Sequence, residues 1–149
     1  MMKKISLNIF KTLRFVIGML AVFIVLTACS VLSDVRSNTY ENYEAVVAAG
    51  EIERGWVPEF LPQSSANIYV KYKVDANVSI LAFNFAADDL EMLTQACTPT
   101  EEVPEPPLNA KWWSDDLLTS HGTFFRCEDD GYLVVDGLQG YYWFGYELP

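Results

Sequence analysis

Residues 68–85 read Ile-Tyr-Val-Lys-Tyr-Lys-Val-Asp-Ala-Asn-Val-Ser-Ile-Leu-Ala-Phe-Asn-Phe, and the expected fold class follows from this stretch. Apolar and polar side chains alternate up to Asp75, which is the pattern of a half-buried strand. Asp75, Ala76 and Asn77 supply the residues of a turn. The segment from Val78 to Phe85 is apolar on both faces, as expected for a more deeply buried strand. The sequence therefore predicts a β-hairpin.

Two short helices are predicted on either side of this hairpin. Apolar side chains recur at helical spacing over residues 39–49, which predicts the first helix. After the hairpin, Asp88 and Glu91 have the spacing of a capping box, and the apolar residues that follow share one helical face. We therefore expect a second helix that ends at Cys97.

The C-terminal part of the chain is predicted to be β-structure. Residues 98–109 hold four of the seven prolines and three glutamates, which predicts an extended acidic loop. Residues 122–128, 131–135 and 140–146 then have the pattern of three short strands joined by Asp- and Gly-containing turns. The expected fold class is α+β, with two short helices packed on about five antiparallel strands: the hairpin plus a C-terminal three-stranded meander.

The N-terminal residues have the organisation of an export signal. Four basic side chains lie within the first 14 residues, and an uncharged run of 14 residues follows them up to Cys29. A basic region followed by a short apolar region is typical of a secretory signal peptide. The alternative is a transmembrane helix, which needs about 20 apolar residues. The length of the run therefore favours the signal peptide.

Leu26-Thr27-Ala28-Cys29, at the end of this run, resembles the lipobox of bacterial lipoproteins. The resemblance implies that Cys29 becomes the mature N-terminus and carries diacylglycerol and an N-acyl chain such as palmitate. More than one chain gives stable membrane anchoring. Ser30 stands where an Asp would favour retention in the inner membrane. We therefore expect a lipid-anchored protein of the bacterial cell envelope, on the outer membrane and facing the periplasm.

The domain organisation expected from this resemblance has three parts. Residues 1–28 are the lipoprotein signal peptide, residues 29–38 are a polar tether, and residues 39–149 form a single α+β periplasmic domain. Removing residues 1–28 leaves all 20 acidic side chains but only six of the ten basic ones, so the net charge changes from −10 to −14. Such a domain repels nucleic acid and favours cationic partners.

Two cysteines remain after lipidation of Cys29. An oxidising envelope compartment favours a disulfide between Cys97 and Cys127. The alternative is a pair of redox or metal-binding thiols. The spacing does not match Cys-x-x-Cys, however, and His121 is the only histidine that could add a zinc ligand. We therefore predict a structural disulfide, and neither a metal site nor a cofactor.

Catalytic chemistry has few candidates in this sequence. His121 is the only side chain whose ordinary pKa lies near neutrality, and it follows Ser120. Adjacency does not make a catalytic pair, and there is no Gly-x-Ser-x-Gly elbow. The acidic pairs at residues 88–89, 115–116 and 129–130 do not fit a calcium-binding loop. We assign no catalytic residue, although carboxylates acting with His121 remain an alternative.

Aromatic side chains are dense in the mature chain. Alternation in the last strand predicts that Tyr141 and Trp143 share an exposed face, and Trp112 and Trp113 are expected nearby. Because Trp and Tyr are enriched at interfaces, these four residues form a candidate binding face. The alternative is that the large rings simply fill the core of a small domain.

Residues 55–62 contain two prolines four residues apart, which excludes a regular helix or a central strand there. We expect this segment to cross the core as an irregular strap, because Trp56, Phe60 and Leu61 are costly to expose. Over residues 55–68, the pattern Gly-Trp-x-Pro followed by Leu-Pro-x-Ser-Ser-Ala-x-Ile resembles a stretch of small uncharacterised bacterial envelope lipoproteins. That resemblance implies no particular chemistry.

The function expected from these features is a lipid-anchored, non-catalytic binding or interaction domain. An acidic surface with exposed aromatic rings suits a basic protein or peptide, as in an inhibitor or immunity-type protein. One alternative is a small periplasmic hydrolase that uses carboxylates and His121. A second is a structural lipoprotein needed to assemble a larger envelope complex.

Overall fold

Seven antiparallel strands form one sheet in the structure, a computed structural model that describes residues 34–113, 117 and 122–145. All of these described residues belong to one compact unit. In chain order the elements are β1 (Val35–Asn42), α1 (Tyr43–Ala48), β2 (Ala66–Lys73), β3 (Val78–Asn84), a 3-10 turn (Ala87–Asp89), α2 (Leu90–Gln95), β4 (Cys97–Pro99), β5 (Thr123–Cys127), β6 (Tyr132–Asp136) and β7 (Gln139–Phe144).

The strands are ordered β1-β2-β3-β7-β6-β5-β4 across the sheet. The predicted α+β class is confirmed, with two short helices and with more strands than the five expected. Both helices have six residues. In the described part of the chain, no helix is long and apolar enough to cross a membrane. The predicted signal peptide, the lipobox and Cys29 lie outside the described residues.

The predicted hairpin forms the second and third of the seven strands across the sheet. β2 and β3 pair antiparallel from Tyr69 opposite Ala82 to Lys73 opposite Val78. β3 also pairs with β7, which brings the N-terminal hairpin and the C-terminal meander into one sheet. This central position explains why residues 78–83 are buried on both faces.

The first strand corrects two predictions. Residues 35–38 were expected in the tether and residues 39–42 in the first helix, but all of them belong to β1, which pairs along β2. The helix begins only at Tyr43, because the Asn42 side chain caps it by accepting a hydrogen bond from the Ala45 N–H at 3.0 Å. The apolar spacing around Tyr40 fits a strand as well as a helix, and pairing with β2 favours the strand.

The second helix is also shorter than predicted. It ends at Gln95, and Cys97 begins β4 directly opposite Cys127 of β5, with 3.9 Å between their Cα atoms. The disulfide between the two cysteines is present and joins two neighbouring strands. The capping box is not formed, since Asp88 lies inside the 3-10 turn and α2 has no side-chain cap.

The C-terminal meander agrees with the sequence pattern. β5, β6 and β7 lie within about two residues of the predicted strands and pair in order. Between β6 and β7 the turn runs through Gly137, which has a positive φ of 60°. Tyr146, the last residue of the predicted third strand, lies outside the described residues.

Both faces of the sheet are covered. The first face packs against α1, α2 and the segment from residue 51 to residue 62, which has no regular secondary structure over residues 55–62, as predicted. Val57 and Leu61 are buried there, and the Trp56 ring stacks on Tyr72 at 4.4 Å between centroids. The second face packs against residues 100–113, which we call the covering loop, and Leu117.

Candidate functional site

The four residues of the predicted binding face meet on the second face of the sheet. Trp113 lies 6.1 Å from Trp112, 5.7 Å from Tyr141 and 5.6 Å from Trp143, measured between ring centroids. β7 carries Tyr141 and Trp143, and the covering loop carries the two tryptophans. We call these four residues the aromatic cluster.

Trp143 does not have the exposure that strand alternation predicted. It is 1% exposed and packs with Ile80, Val134 and Leu117 beneath the covering loop. The alternation itself is correct, but the loop covers the face toward which Trp143 points. Within the described residues the Trp143 Nε1 atom has no hydrogen-bond partner. Trp143 is therefore part of the hydrophobic core between the second face of the sheet and the covering loop. The other three rings are half-buried and remain accessible.

The covering loop is held on the sheet along its length. The Thr100 N–H donates to the Phe124 carbonyl at 2.9 Å, and the Lys71 Nζ atom donates to the Asn109 carbonyl. Apolar side chains of the loop pack between these contacts, namely Val103, Leu108 and Ala110. Its glutamates, at positions 101, 102 and 105, all point into solvent. The loop is acidic as predicted, and its contacts fix it to the sheet.

A cleft of about 260 Å³ lies beside the aromatic cluster. Tyr69, Ala82 and Tyr141 are register neighbours on β2, β3 and β7, so the small Ala82 side chain forms a floor between two tyrosines. Trp112 stacks on Tyr69 with 5.8 Å between centroids. The next row of side chains is formed by three carboxamides, those of Asn67, Asn84 and Gln139. We call this the amide–aromatic cleft.

Its amides are held by two local features. Asn67 sits at a β-bulge with a φ of 51°, a left-handed conformation that asparagine tolerates. Gln139 lies opposite Asn84 in the β3–β7 register, and its Oε1 atom accepts a hydrogen bond from the Tyr141 hydroxyl at 2.9 Å. Burial, followed by the charge of Asp136, raises the pKa of Tyr141, so its hydroxyl remains a neutral donor.

A second cleft, of about 520 Å³, lies beside Trp113. Lys71 and Lys111 line it together with Asn109 and Trp113. Two of the six basic side chains that follow residue 29 therefore line the same cleft. This corner of the molecule is cationic and is poorly suited to a basic partner.

A third cleft, of about 390 Å³, lies on the opposite face of the sheet. At its wall the Tyr142 hydroxyl donates to Asp129 Oδ2 at 2.6 Å, and Asp129 Oδ1 accepts from the Gly131 N–H at 3.1 Å. Burial, and then the contact with Asp129, raise the pKa of Tyr142. These contacts give Asp129 a structural role in the β5–β6 turn, as its sequence position suggested.

One carboxylate is buried in the segment that covers the first face of the sheet. Glu51 is 1% exposed, and its Oε1 atom accepts hydrogen bonds from the Tyr40 hydroxyl and from Asn38 Nδ2, the latter at 2.9 Å. Its Oε2 atom receives no hydrogen bond from the described residues and is compensated by the Arg54 guanidinium at 3.2 Å. This network ties β1 to the end of α1, and it does not line any of the three clefts described above.

The remaining candidates give no assembled catalytic or metal centre. His121 and the acidic pair at residues 115–116 lie outside the described residues. Asp130 is paired with Arg126 at 3.0 Å, and the pair at residues 88–89 belongs to the 3-10 turn. Among residues 34–113, 117 and 122–145, no group of three or more His, Cys, Asp or Glu side chains is placed to hold a metal ion.

Several residues of the clefts were missed in the sequence. In the sequence, Tyr69, Lys71 and Asn84 stand only at ordinary positions of predicted strands. Asn67 precedes the predicted hairpin, and Gln139 falls in the predicted turn before the last strand. The registers of β2 against β3 and of β3 against β7 would together have aligned Tyr69, Asn84 and Gln139 in one region. No local pattern in the sequence gives that register.

Part of the chain matches a known protein family. Residues 34–84 match the family model described as the YbbD head domain. The match covers β1, α1, β2 and β3, and it leaves α2 and strands β4–β7 outside. Asn67, Tyr69 and Asn84 lie inside the matched range, whereas the other half of the amide–aromatic cleft does not. No curated protein and no solved structure matches the chain.

Proposed function

We propose that this chain is a lipid-anchored, non-catalytic binding protein of a bacterial cell envelope, and that it binds a basic protein or peptide in the manner of an inhibitor or immunity-type protein. The observation that carries the proposal is the distribution of charge over the folded domain. Acidic side chains greatly outnumber basic ones on its surface, and such an excess attracts and orients a cationic partner.

The excess is visible side chain by side chain. Of the 17 Asp and Glu residues described, 15 are exposed, against four exposed basic residues, Arg36, Arg54, Lys111 and Arg126. The exposed carboxylates are Asp34, Glu41, Glu44, Glu53, Glu59, Asp75, Asp88, Glu91, Glu101, Glu102, Glu105, Glu128, Asp129, Asp130 and Asp136. Ion pairing within the domain neutralises few of them, since the two salt bridges found among the described residues use Glu51 and Asp130.

The covering loop is the part of this surface best suited to recognition. It presents three exposed glutamates within five residues, Glu101, Glu102 and Glu105. Because the loop is already anchored through Thr100 and Asn109, its carboxylates need little further ordering when a partner binds. A preorganised acidic surface of this kind favours a folded basic protein over a nucleic acid or an anionic lipid.

The envelope location and the lipid anchor rest on the sequence of the first 29 residues. The basic start, the short apolar run and the lipobox-like ending at Cys29 support them. The match of residues 34–84 to the YbbD head domain is compatible with an exported domain that begins soon after such a leader.

Affinity capture tests the proposal. The full chain, solubilised in detergent, would be used to recover partners from solubilised envelopes, and a lysine-rich peptide would serve as a defined cationic probe beside a glutamate-rich peptide of equal length. We expect a basic partner, binding of the lysine-rich probe alone, and an association rate that falls steeply from low to physiological salt. An acidic partner, or binding indifferent to salt, would contradict the proposal.

A matched pair of variants locates the binding surface. Glu101→Gln/Glu102→Gln/Glu105→Gln removes three charges from the covering loop and keeps side-chain size. Glu41→Gln/Glu44→Gln/Glu53→Gln removes three equally exposed charges elsewhere. We expect the first triple variant to lower the association rate more than the second. Equal losses would mean that only total charge matters.

The two alternatives are separated by other measurements. The hydrolase alternative requires His121, so activity in a hydrolase screen that His121→Ala abolishes would favour it. The assembly alternative predicts that the chain is recovered in a large envelope complex in which charge substitutions change nothing.

A further inference from the structure

We infer that the amide–aromatic cleft is a binding site for a neutral saccharide. The site is distinct from the acidic surface, because no charged side chain among the described residues lines it. Its walls combine aromatic rings with carboxamides. The rings suit the apolar face of a sugar ring, and the carboxamides suit its hydroxyl groups.

The aromatic part of the cleft follows from the sheet register. Adjacent strands are about 4.8 Å apart, so the Cα atoms of Tyr69 and Tyr141 are about 10 Å apart across Ala82. Both rings line the cleft, and the small Ala82 side chain lies between them. The negative face of an aromatic ring attracts the weakly positive C–H groups that cover the apolar face of a pyranose. Trp112, stacked on Tyr69, enlarges this aromatic wall.

The polar part of the cleft is the carboxamide row. Each side chain of Asn67, Asn84 and Gln139 offers two N–H donors and one carbonyl acceptor, which match hydroxyl groups that both donate and accept. Gln139 already accepts from Tyr141, so its NH₂ group remains as the donor toward the cleft. Asn67 is exposed and Asn84 is half-buried, and both line the cleft, so their side-chain amides are accessible to a ligand.

The absence of charged side chains among the described lining residues and the volume of the cleft restrict the class of ligand. An anionic ligand would lack a cation in this cleft, and a cationic peptide would lack a carboxylate. The volume of about 260 Å³ is slightly below the roughly 300 Å³ at which drug-sized sites begin, so the cleft holds about one sugar unit. The uncharged lining and the small volume of the cleft therefore favour a neutral hexose or an N-acetylated hexose within a longer chain.

The test is ligand-observed NMR and calorimetry with the full chain in a detergent that has no sugar headgroup. The probes are cellotriose, chitotriose and maltotriose, with trigalacturonic acid as an anionic control. We expect saturable binding of at least one neutral probe, with a Kd of about 1 mM or tighter, and weaker binding of the anionic control. Added salt should not change the Kd of the neutral saccharides, because their binding pairs no charged groups.

Two variants place the binding in this cleft. Trp112→Leu keeps apolar packing but removes the ring face, and Gln139→Ala removes one carboxamide from the rim. We expect each to weaken saccharide binding about tenfold. Gln95→Ala makes the same deletion as Gln139→Ala on exposed α2 and should change nothing. Circular dichroism confirms that the variants remain folded.

The inference is overturned if no neutral probe shows saturable binding at ligand concentrations up to about 10 mM, which is tenfold above a millimolar Kd. It is also overturned if only the anionic probe binds. It is also overturned if Trp112→Leu and Gln139→Ala both bind as the unaltered chain does. These results are independent of the basic partner proposed above. The glutamate-to-glutamine variants of the covering loop should alter salt-dependent protein binding and leave saccharide binding intact.

Discussion

The ring of Trp113 meets the ring of Trp143 edge to face, at 87° and with 5.6 Å between their centroids. One ring comes from the covering loop and the other from β7. This arrangement is a favourable geometry for two aromatic rings, because the positive edge of one faces the negative face of the other. The contact joins the loop that carries three exposed glutamates to the centre of the sheet, so core packing and surface charge are linked at this point.

Trp143→Ala should strongly destabilise the domain. The side chain is 1% exposed and its removal leaves a large cavity beneath the loop. The expected loss in the free energy of unfolding is about 3–5 kcal/mol. Denaturant unfolding followed by circular dichroism measures it. Leu138→Ala, at a 51% exposed position in the neighbouring turn, is the control and should change stability by less than about 0.5 kcal/mol. Equal effects of the two substitutions would show that Trp143 is not part of a packed core.

Breaking the disulfide should also lower stability. Cys97 and Cys127 are separated by 30 residues, and closing such a loop stabilises a fold by about 3–4 kcal/mol in the chain-entropy model. Cys97→Ala/Cys127→Ala is therefore expected to lower the melting temperature by about 10 °C. Under denaturing, non-reducing conditions, alkylation should label neither thiol of the unaltered chain. Two freely alkylated thiols would contradict the bridge.

Stability at alkaline pH should depend on Tyr40. Burial, and then its contact with Glu51, raise the pKa of Tyr40 from 10.0 to about 12. Between those values the unfolded chain loses the phenolic proton while the folded chain keeps it, so the contribution of Tyr40 is complete below pH 10 and is lost as pH rises toward 12. Tyr40→Phe cannot show this loss. The difference in unfolding free energy between the unaltered chain and Tyr40→Phe should be constant below pH 10. Above pH 10 the unaltered chain should lose stability relative to Tyr40→Phe.

Chemical denaturation at a series of pH values gives that difference, and ultraviolet absorbance of tyrosinate gives the ionisation directly. Tyr43→Phe is a suitable control, because Tyr43 lies nearby on α1 without a hydrogen bond to Glu51. A parallel pH response of Tyr40→Phe and the unaltered chain would mean that Tyr40 ionises normally.

Cys29→Ala should abolish membrane anchoring. Without the sulfur there is no site for the diacylglycerol that a lipobox implies, so the protein should leave the membrane fraction or remain unprocessed. Metabolic labelling with a palmitate analogue should mark only the unaltered chain. Equal labelling of Cys29→Ala would contradict the lipoprotein hypothesis, whereas Ser30→Ala is a neighbouring change that should leave labelling intact.

The hairpin and the meander were predictable because their information is local. The alternation from Ile68, the turn at Asp75 and the glycine-containing turn at Gly137 each follow from neighbouring residues. The disulfide was predicted from the two cysteines that remain if Cys29 is lipidated, and from the oxidising compartment that the lipobox hypothesis implies. The aromatic cluster was also anticipated, since its members are close along the chain in two pairs.

The first strand and the second helix were predicted less well. Tyr40 occupies a spacing that suits either a helix or a strand, and only its pairing with β2, opposite Ile68, selects the strand. Cys97 likewise continues a helical face in the sequence but pairs with Cys127 in the sheet. In both cases a contact between distant residues outweighs a weak local preference.

The amino-acid order alone was enough for the fold class, the acidic surface and the paired cysteines, because composition and side-chain period do not depend on which strands become neighbours. The tertiary structure was needed to bury Trp143 and to assemble the amide–aromatic cleft. Asn67, Asn84 and Gln139 come together only through a bulge in β2 and the register of β3 against β7. Register between strands that are distant in sequence is set by the packing of the whole sheet, and no single stretch of the chain contains it.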